Sequence, residues 1–423
     1  MNFSSIRENV NTRFAKDTIW LIAAQAVLMG AGLGLNLIIG KYNGADDLGV
    51  FNQSLALYTI LSTLFAFGLN NTITKEISDG SKTKQQQNNV LLTNMIITAA
   101  LSALLSLLVI TASIVLPQIF SSIELAEVVY IPMFALPFFN LNKNIGAYYS
   151  GLRKQKRFAI QRIMRWIIMI GWVAGCEWMH ASLDMFLWCF PVSELLVFLV
   201  NIIELIPQLR FKPDFSETGK HVKFGMKSYV AELISVLNAS LDVLLIGYFL
   251  TNAETGIYSF ILFFVKTLAV FPGILMQNFS PIVSRLWESG DIKSIQLRVQ
   301  SIRKINTRVV LLKLVFLLAA YPIITSFIKQ DFQQTTWLFV CALIGPFLFA
   351  LIAWSGSMLI MTNKLNENII RTASIIVLSA LSTIALTALW GLTGACVACS
   401  VNGLFAFWTT RHMIKKSLSI KVI

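Results

Sequence analysis

Charge is scarce in this sequence. Only 13% of its 423 residues are Asp, Glu, Lys or Arg, where a soluble domain carries about 25%. Too little polar surface remains to wrap a water-soluble fold of this length. Histidine is scarcer still: His180, His221 and His412 stand far apart, and no Cys or His spacing matches a metal-ligand pattern. A glycine-rich phosphate loop is also missing. The five cysteines, Cys176, Cys189, Cys341, Cys396 and Cys399, lie within or at the ends of apolar runs. Cys396 and Cys399 form a CxxC inside the last run, which reads as small packing residues and not as a redox pair; no disulfide is expected. The net charge of +13 invites a nucleic-acid reading. However, the basic residues gather in no exposed domain, so no nucleic-acid partner is expected.

Apolar length is what the chain has in abundance: 56% of its residues are hydrophobic and the mean hydropathy is +0.69. A helix that crosses a bilayer takes roughly 20 mostly apolar residues. Windows of that kind fall near 17–39, 48–70, 90–116, 128–150, 158–178 and 184–206, then near 225–249, 257–282, 305–328, 336–360, 368–389 and 392–410. The first follows Arg7, Arg13 and Lys16 and superficially resembles a secretory signal, but the run from Thr18 to Ile39 is too long for one. The expected fold is therefore an all-α integral membrane protein of about twelve transmembrane helices.

Short loops retain Lys and Arg on the cytoplasmic side, so the windows can be tested for alternation. Setting aside Lys41 and Lys329 in outer loops and three lysines deep in windows, the other 29 of the 34 basic residues fall on one side. The opposite loops are short and carry Asp46, Asp47, Glu124, Glu127 and Glu254. Both termini are expected in the cytoplasm of a multi-pass protein.

The stretch PQLRFKPDFSETGKHVK, residues 207–223, interrupts the chain after six windows and reads as a cytoplasmic linker between lobes at 1–206 and 224–423. Because both halves then begin inside, an internal repeat would be parallel, with a pseudo-two-fold axis along the membrane normal. Gly40 and Gly49 precede Val50-Phe51, and Gly247 and Gly256 precede Ile257-Tyr258, at an offset of 207 residues.

Three stretches carry a family resemblance: DTIWLIAAQAVLMGAGLGLNLIIGKYNGADDLGVFNQSLAL at the start, YYSGLRKQKRFAIQRIMRW between the fourth and fifth windows, and LDVLLIGYFLTNAETGIYSFILFFVKTL across the seventh and eighth. In these the chain resembles the multidrug/oligosaccharidyl-lipid/polysaccharide (MOP) exporter superfamily, and within it Wzx-type O-antigen flippases. The resemblance implies two six-helix lobes around a central cavity and alternating access in a bacterial inner membrane. It implies an undecaprenyl-pyrophosphate-linked oligosaccharide as substrate, other polysaccharide-assembly membrane proteins as partners besides membrane lipid, and no cofactor beyond a coupling H+ or Na+, as in an antiporter. Lipid II flippases usually have two further helices, so an end after the twelfth window argues against the peptidoglycan branch.

A charge inside a span costs several kcal/mol and is a site candidate by default. Lys143, Lys266 and Lys313 sit well inside windows, and so do the acids Glu194, Glu232 and Asp242. A lipid pyrophosphate cannot cross hydrocarbon without replacement of its hydration. Lysine suits that task as a point charge that binds phosphate and releases it. The three lysines are thus candidate substrate contacts, against the alternative that they snorkel or pair with an acid. Ser228, Glu232, Ser235, Asn238 and Asp242 form one helical stripe, either lining a wet cavity and holding a coupling ion or sealing a polar seam. Gln25, Asn36, Asn140 and Asn144 are candidate sugar contacts or interhelical hydrogen-bonders. The run Arg153, Lys154, Lys156 and Arg157 reads as a topology determinant touching anionic lipid.

Two rival functions remain. A cation-coupled drug exporter of the same architecture would have an acidic, aromatic cavity with few lysines. A membrane O-antigen polymerase or glycosyltransferase would need a water-facing catalytic constellation on a large outer loop, and the outer loops here are short. No enzymatic activity is expected.

Overall fold

The computed structural model describes residues 3–79, 82–117, 122–206, 213, 215–216 and 218–418. Among these, all regular structure is helical. The helices are α1 (Phe3–Tyr42), α2 (Ala45–Leu64), α3 (Leu69–Ser78), α4 (Lys84–Val115), α5 (Ile123–Val128), α6 (Tyr130–Gly151), α7 (Gln155–Trp178), α8 (Leu183–Leu187) and α9 (Cys189–Leu205). After them come α10 (Thr218–Phe249), α11 (Asn252–Thr267), α12 (Val270–Glu288), α13 (Ile292–Ser326), α14 (Thr336–Ala350), α15 (Met358–Met361) and α16 (Leu365–Leu418). Each apolar window of the sequence falls on helix. Of the linker expected at 207–223, residues 218–223 are helical and open α10, while 207–212, 214 and 217 lie outside the described residues.

Burial runs opposite to that of a soluble protein. Along α4 the buried side chains include Asn94, Thr98, Ser102 and Ser106, while Leu104, Leu107 and Leu108 are exposed. On α9, Ser193, Glu194 and Asn201 are buried while Leu195, Leu199 and Ile203 face outward. Water would not tolerate these leucine faces, whereas hydrocarbon accepts them and drives polar groups to find partners inside. By length and hydropathy, eight described helices can cross a membrane, or up to ten when α2 with α3 and α14 with the helical turn after it each count as one bent span.

Local sequence explains the breaks. α4 and α11 begin with capping boxes, Thr83 with Gln86 and Thr251 with Glu254, each satisfying two orphan amides. Between α2 and α3, Phe67 and Gly68 take left-handed backbone (φ 47° and 67°). A side chain at Gly68 would run into the carbonyl of Gly225. In α16, Gly391 has φ 58° and ψ −138°, a conformation open only to glycine. Side-chain bonds join Ser382 to Asn402 and Arg371 to Thr410, and both pairs are centred near residue 391. α16 is therefore an antiparallel hairpin of two helices, matching the separate windows at 368–389 and 392–410.

The chain divides into two compact units, Met1–Ile39 with Ser54–Ser240, and Gly40–Gln53 with Leu241–Ile423. The first has a core of Ile73, Ile77, Leu91, Ile145, Tyr148 and Leu205. The second has one of Phe279, Val283, Ile295, Trp354, Met358 and Ile414, and an aromatic cluster where Tyr321 stacks on Phe339 at 4.1 Å. Residues 224–240 group with the earlier chain, and residues 40–53 with the later one. The reason is a backbone crossing. A Cβ at Gly49 would land on the carbonyl oxygen of Asn252, and one at Gly256 on that of Ala45. Both partners are related by the same 207-residue offset as the two glycines, so the repeat seen in sequence meets itself here. Gln53 Nε2 donates to Asn252 Oδ1 at 3.1 Å beside it.

Adding a methyl group to this crossing should cost about 1–3 kcal/mol through overpacking. Gly49→Ala or Gly256→Ala should lower the thermal unfolding midpoint in detergent. Gly171→Ala, inside α7 where the added atom meets nothing within 4 Å, should not lower it, since alanine favours helix over glycine.

Candidate functional site

In the first unit, the deep acid Glu194 is 1% exposed and held by three side chains. Arg165 of α7 forms an ion pair with it, Nε 2.5 Å from Oε1, and its Nη2 donates a hydrogen bond to Oε2 at 3.1 Å. Asn142 Nδ2 donates to Oε2 at 2.9 Å, and the Tyr58 hydroxyl donates to Oε1 at 3.1 Å. Asn142 is itself fixed, accepting from Asn201 at 3.1 Å and, on its backbone oxygen, from Gln161 at 2.6 Å. The Arg165 guanidinium lies 4.6 Å from the Phe139 ring centre. A carboxylate so enclosed carries a dedicated counter-ion.

Arg165 is absent from the sequence candidates because it was grouped with the cytoplasmic cations near a helix start. It lies ten residues into α7, about 15 Å along the axis. The signal that would have found it was Glu194, since a deep acid demands a nearby cation or donor.

Lys143, on α6, is 19% exposed and pairs with Glu232 of α10 at 2.5 Å. Asn71 Nδ2 donates to the other carboxylate oxygen at 3.1 Å. Two residues expected to act separately, one on cargo and one on a coupling ion, are thus joined. Asn140 and Asn144 are buried and donate to Ser102 Oγ at 3.0 Å and Thr98 Oγ1 at 2.9 Å, stitching α6 to α4. Asn36 is buried and donates to the Gly32 carbonyl of its own helix at 2.8 Å. Gln25 is half-buried on α1, and Ser235 and Asn238 are exposed on α10. The Ser228 side chain lies outside the described set.

The second unit holds Asp242, Lys266 and Lys313. Asp242, at the far end of the α10 stripe, accepts from the Val243 amide at 2.9 Å and from the buried Tyr258 hydroxyl at 3.4 Å. Lys266 occupies the last turn of α11 and is exposed, where the helix's partial negative end favours a cation. α11 and α12 are separated by a short break after Thr267, within a stretch that has the apolar length of one span. Lys313 Nζ reaches across from α13 to the Thr267 carbonyl at 2.7 Å, satisfying an acceptor that the break leaves without an intrahelical donor. Arg371, also missed in sequence, sits inside the α16 hairpin and donates to Thr410 at 3.1 Å and Asn368 at 3.0 Å. Among the described residues, no group of three or more His, Cys, Asp or Glu is placed to hold a metal ion, and all five cysteines are free.

Removing one member of the Glu194 network should be costly. Glu194→Gln should destabilise the protein by about 3–5 kcal/mol because Arg165 is left half-buried and uncompensated. The double variant Glu194→Gln with Arg165→Met should recover much of that loss in a thermal-stability double-mutant cycle.

Comparison with known proteins agrees with this helical architecture. Residues 14–287 match the family model described as "Polysaccharide biosynthesis protein". Stage V sporulation protein B of Bacillus subtilis (strain 168) is 24% identical over 169 residues, which make up 38% of this chain and 32% of that protein. The matched stretch thus spans about a third of the relative. Among solved structures, the lipid II flippase MurJ in an inward closed conformation is similar with a TM-score of 0.78 at 15% identity, over 94% of this chain and 87% of that one. An inward-facing multidrug resistance MATE family transporter of the MOP superfamily is similar with a TM-score of 0.77 at 12% identity, over 92% and 95% of the two chains.

Proposed function

From the premise that the chain belongs to the polysaccharide biosynthesis protein family, we propose that it is a flippase of the MOP superfamily, acting on a polyprenyl-pyrophosphate-linked oligosaccharide. It crosses the inner membrane twelve times with both termini in the cytoplasm, its sequence halves 1–206 and 224–423 forming the repeat, and it works by alternating access. The surface-polysaccharide repeat unit, of O-antigen type, moves from the cytoplasmic to the periplasmic leaflet. No covalent chemistry on the cargo is part of this reading.

The observation that supports it is the retention of three lysines inside long apolar helices of a chain with so few charges. Lys266 stands at a helix break, its ammonium placed at the C-terminal end of α11, and is the leading pyrophosphate contact. Lys143 reaches the cargo by exchanging Glu232 for phosphate. Lys313 holds the break open for Lys266. Asp242 and Glu232 are the exchangeable carboxylates for a coupling H+ or Na+, whereas Glu194, locked by Arg165, serves the scaffold of the same machine. Gln25, Asn36, Ser235 and Asn238 offer amide and hydroxyl groups to sugar, with Asn140 and Asn144 behind them.

A charge-assisted hydrogen bond contributes about 1.5–3 kcal/mol, so Lys266→Gln should cut transport of a lipid-linked repeat unit by roughly tenfold to a hundredfold. The assay is complementation of surface-polysaccharide display in a flippase-deficient strain, with membrane insertion checked in parallel. Wild-type display by Lys266→Gln would remove it from the site, and efflux of cationic drugs by the wild-type chain would favour the exporter reading. In liposomes with imposed proton or sodium gradients, Asp242→Asn should transport equally with and without the gradient. Retained gradient dependence would assign coupling elsewhere.

A further inference from the structure

Outside the deep charges, the second unit contains a pocket of about 600 Å³ between α13, the end of α14 and α16. One wall is cationic: Arg303, Lys304 and Arg308, with the Thr307 hydroxyl, all from α13. Their spacing places Arg303 beside Thr307 and Lys304 beside Arg308 on adjoining rows of one helix face. The opposite wall is apolar, made by Leu348, Leu351 and Phe407, and no acid lines the space. A patch that served only to set topology would need charge alone. Here charge faces a hydrocarbon wall across an open volume.

The pocket's depth is readable from α13. Its first half carries Lys293, Arg298, Arg303, Lys304 and Arg308, and from Val309 to Thr325 only Lys313 is charged. Those last 17 residues span about 25 Å at 1.5 Å per residue, close to the hydrocarbon thickness of about 30 Å. Arg308 therefore sits where hydrocarbon gives way to headgroups. The walls are also fixed in place. Buried Asn306 donates to the carbonyls of Ala350 and Leu351 at 3.0 and 2.9 Å, and the buried Trp354 indole donates to Leu351 at 3.0 Å. The α13 to α14 spacing is thus set by bonds that do not involve the pocket cations, leaving those cations for a ligand.

We propose that this pocket binds the phosphate headgroup of an anionic phospholipid, with Arg303, Lys304 and Arg308 on the phosphate and Leu348, Leu351 and Phe407 against the start of its chains. Headgroup and soluble phosphate share the anion, and the apolar wall selects the amphiphile. The site is separate from the proposed cargo contacts and does not depend on their assignment.

The test uses the full-length protein, delipidated in mild detergent, with lipid retention read by native mass spectrometry. The probes are phosphatidylglycerol, phosphatidylcholine and inorganic phosphate. Wild-type protein should retain phosphatidylglycerol over phosphatidylcholine. Arg303→Gln with Arg308→Gln should reduce that retention by at least about tenfold, the equivalent of one charge-assisted bond. Lys293→Gln with Arg298→Gln, which removes equal charge from exposed positions of the same helix, should change it less than about twofold, as expected for solvated charges. Leu348→Ser should weaken retention without altering charge. Equal loss from both double variants would reduce the effect to bulk electrostatics and overturn the site. Unchanged retention in the Arg303/Arg308 variant, or displacement of the lipid by inorganic phosphate at equal concentration, would overturn it as well.

Discussion

Hydrocarbon offers no hydrogen bonds, and most of the side-chain arrangement in this protein follows from that. Asn140 and Asn144 are not scattered polar residues in an apolar helix. They are the α6 half of a ladder whose α4 half is Ser102 and Thr98. The same constraint gives Glu194 its arginine and binds Asn142, Asn201 and Gln161 into the surrounding shell. In membranes such bonds are individually modest, about 0.6 kcal/mol on average. Their leverage lies in register, since sliding α6 by one residue against α4 would strand several buried groups together.

Where a helix breaks or turns, the freed backbone groups need the same care, and the breaks here show how that is met. At Gly68 the turn tucks against the Gly225 carbonyl. At Thr267 the freed carbonyl accepts a hydrogen bond from Lys313, so a charge that looks expensive in sequence substitutes for a missing amide. At Gly391 the chain reverses altogether, and Gly394 follows where a side chain would strike the Leu386 carbonyl. Small residues then bring backbones close elsewhere: Gly345 on α14 meets Ser400 and Gly403 on α16. There Cys396, Cys399 and Ser400 act as compact neighbours, and Ser400 Oγ bonds the Cys341 carbonyl.

Much of the helical layout was legible because a span announces itself by sheer apolar length, and because Gly49 and Gly256 recur at equivalent places. The windows at 368–389 and 392–410 correspond to the two arms of the α16 hairpin, with Gly391 at the reversal between them. Partnership was not legible. Lys143 and Glu232 are 89 positions apart, and no helical periodicity relates α6 to α10. Arg165 and Arg371 stand near the starts of apolar runs, where sequence position alone does not distinguish an interfacial cation from one paired inside. The membership of residues 40–53 in the second unit also escaped, because the glycine repeat was seen as an equivalence of positions and not as a contact between them.

The three deep carboxylates end in different chemical situations, and the difference bears on which of them can take part in a cycle. Glu194 is held by a paired guanidinium, an amide and a phenol, each donating one hydrogen bond to its carboxylate. To change partners it must break several charge-assisted bonds at once, so it behaves as a fixed part of the frame. Glu232 has one flexible lysine and one amide, a pairing that another anion can replace without dismantling a network. Asp242 has a single phenolic donor at the long distance of 3.4 Å besides its neighbour's amide, leaving acceptor capacity for a small cation or a proton.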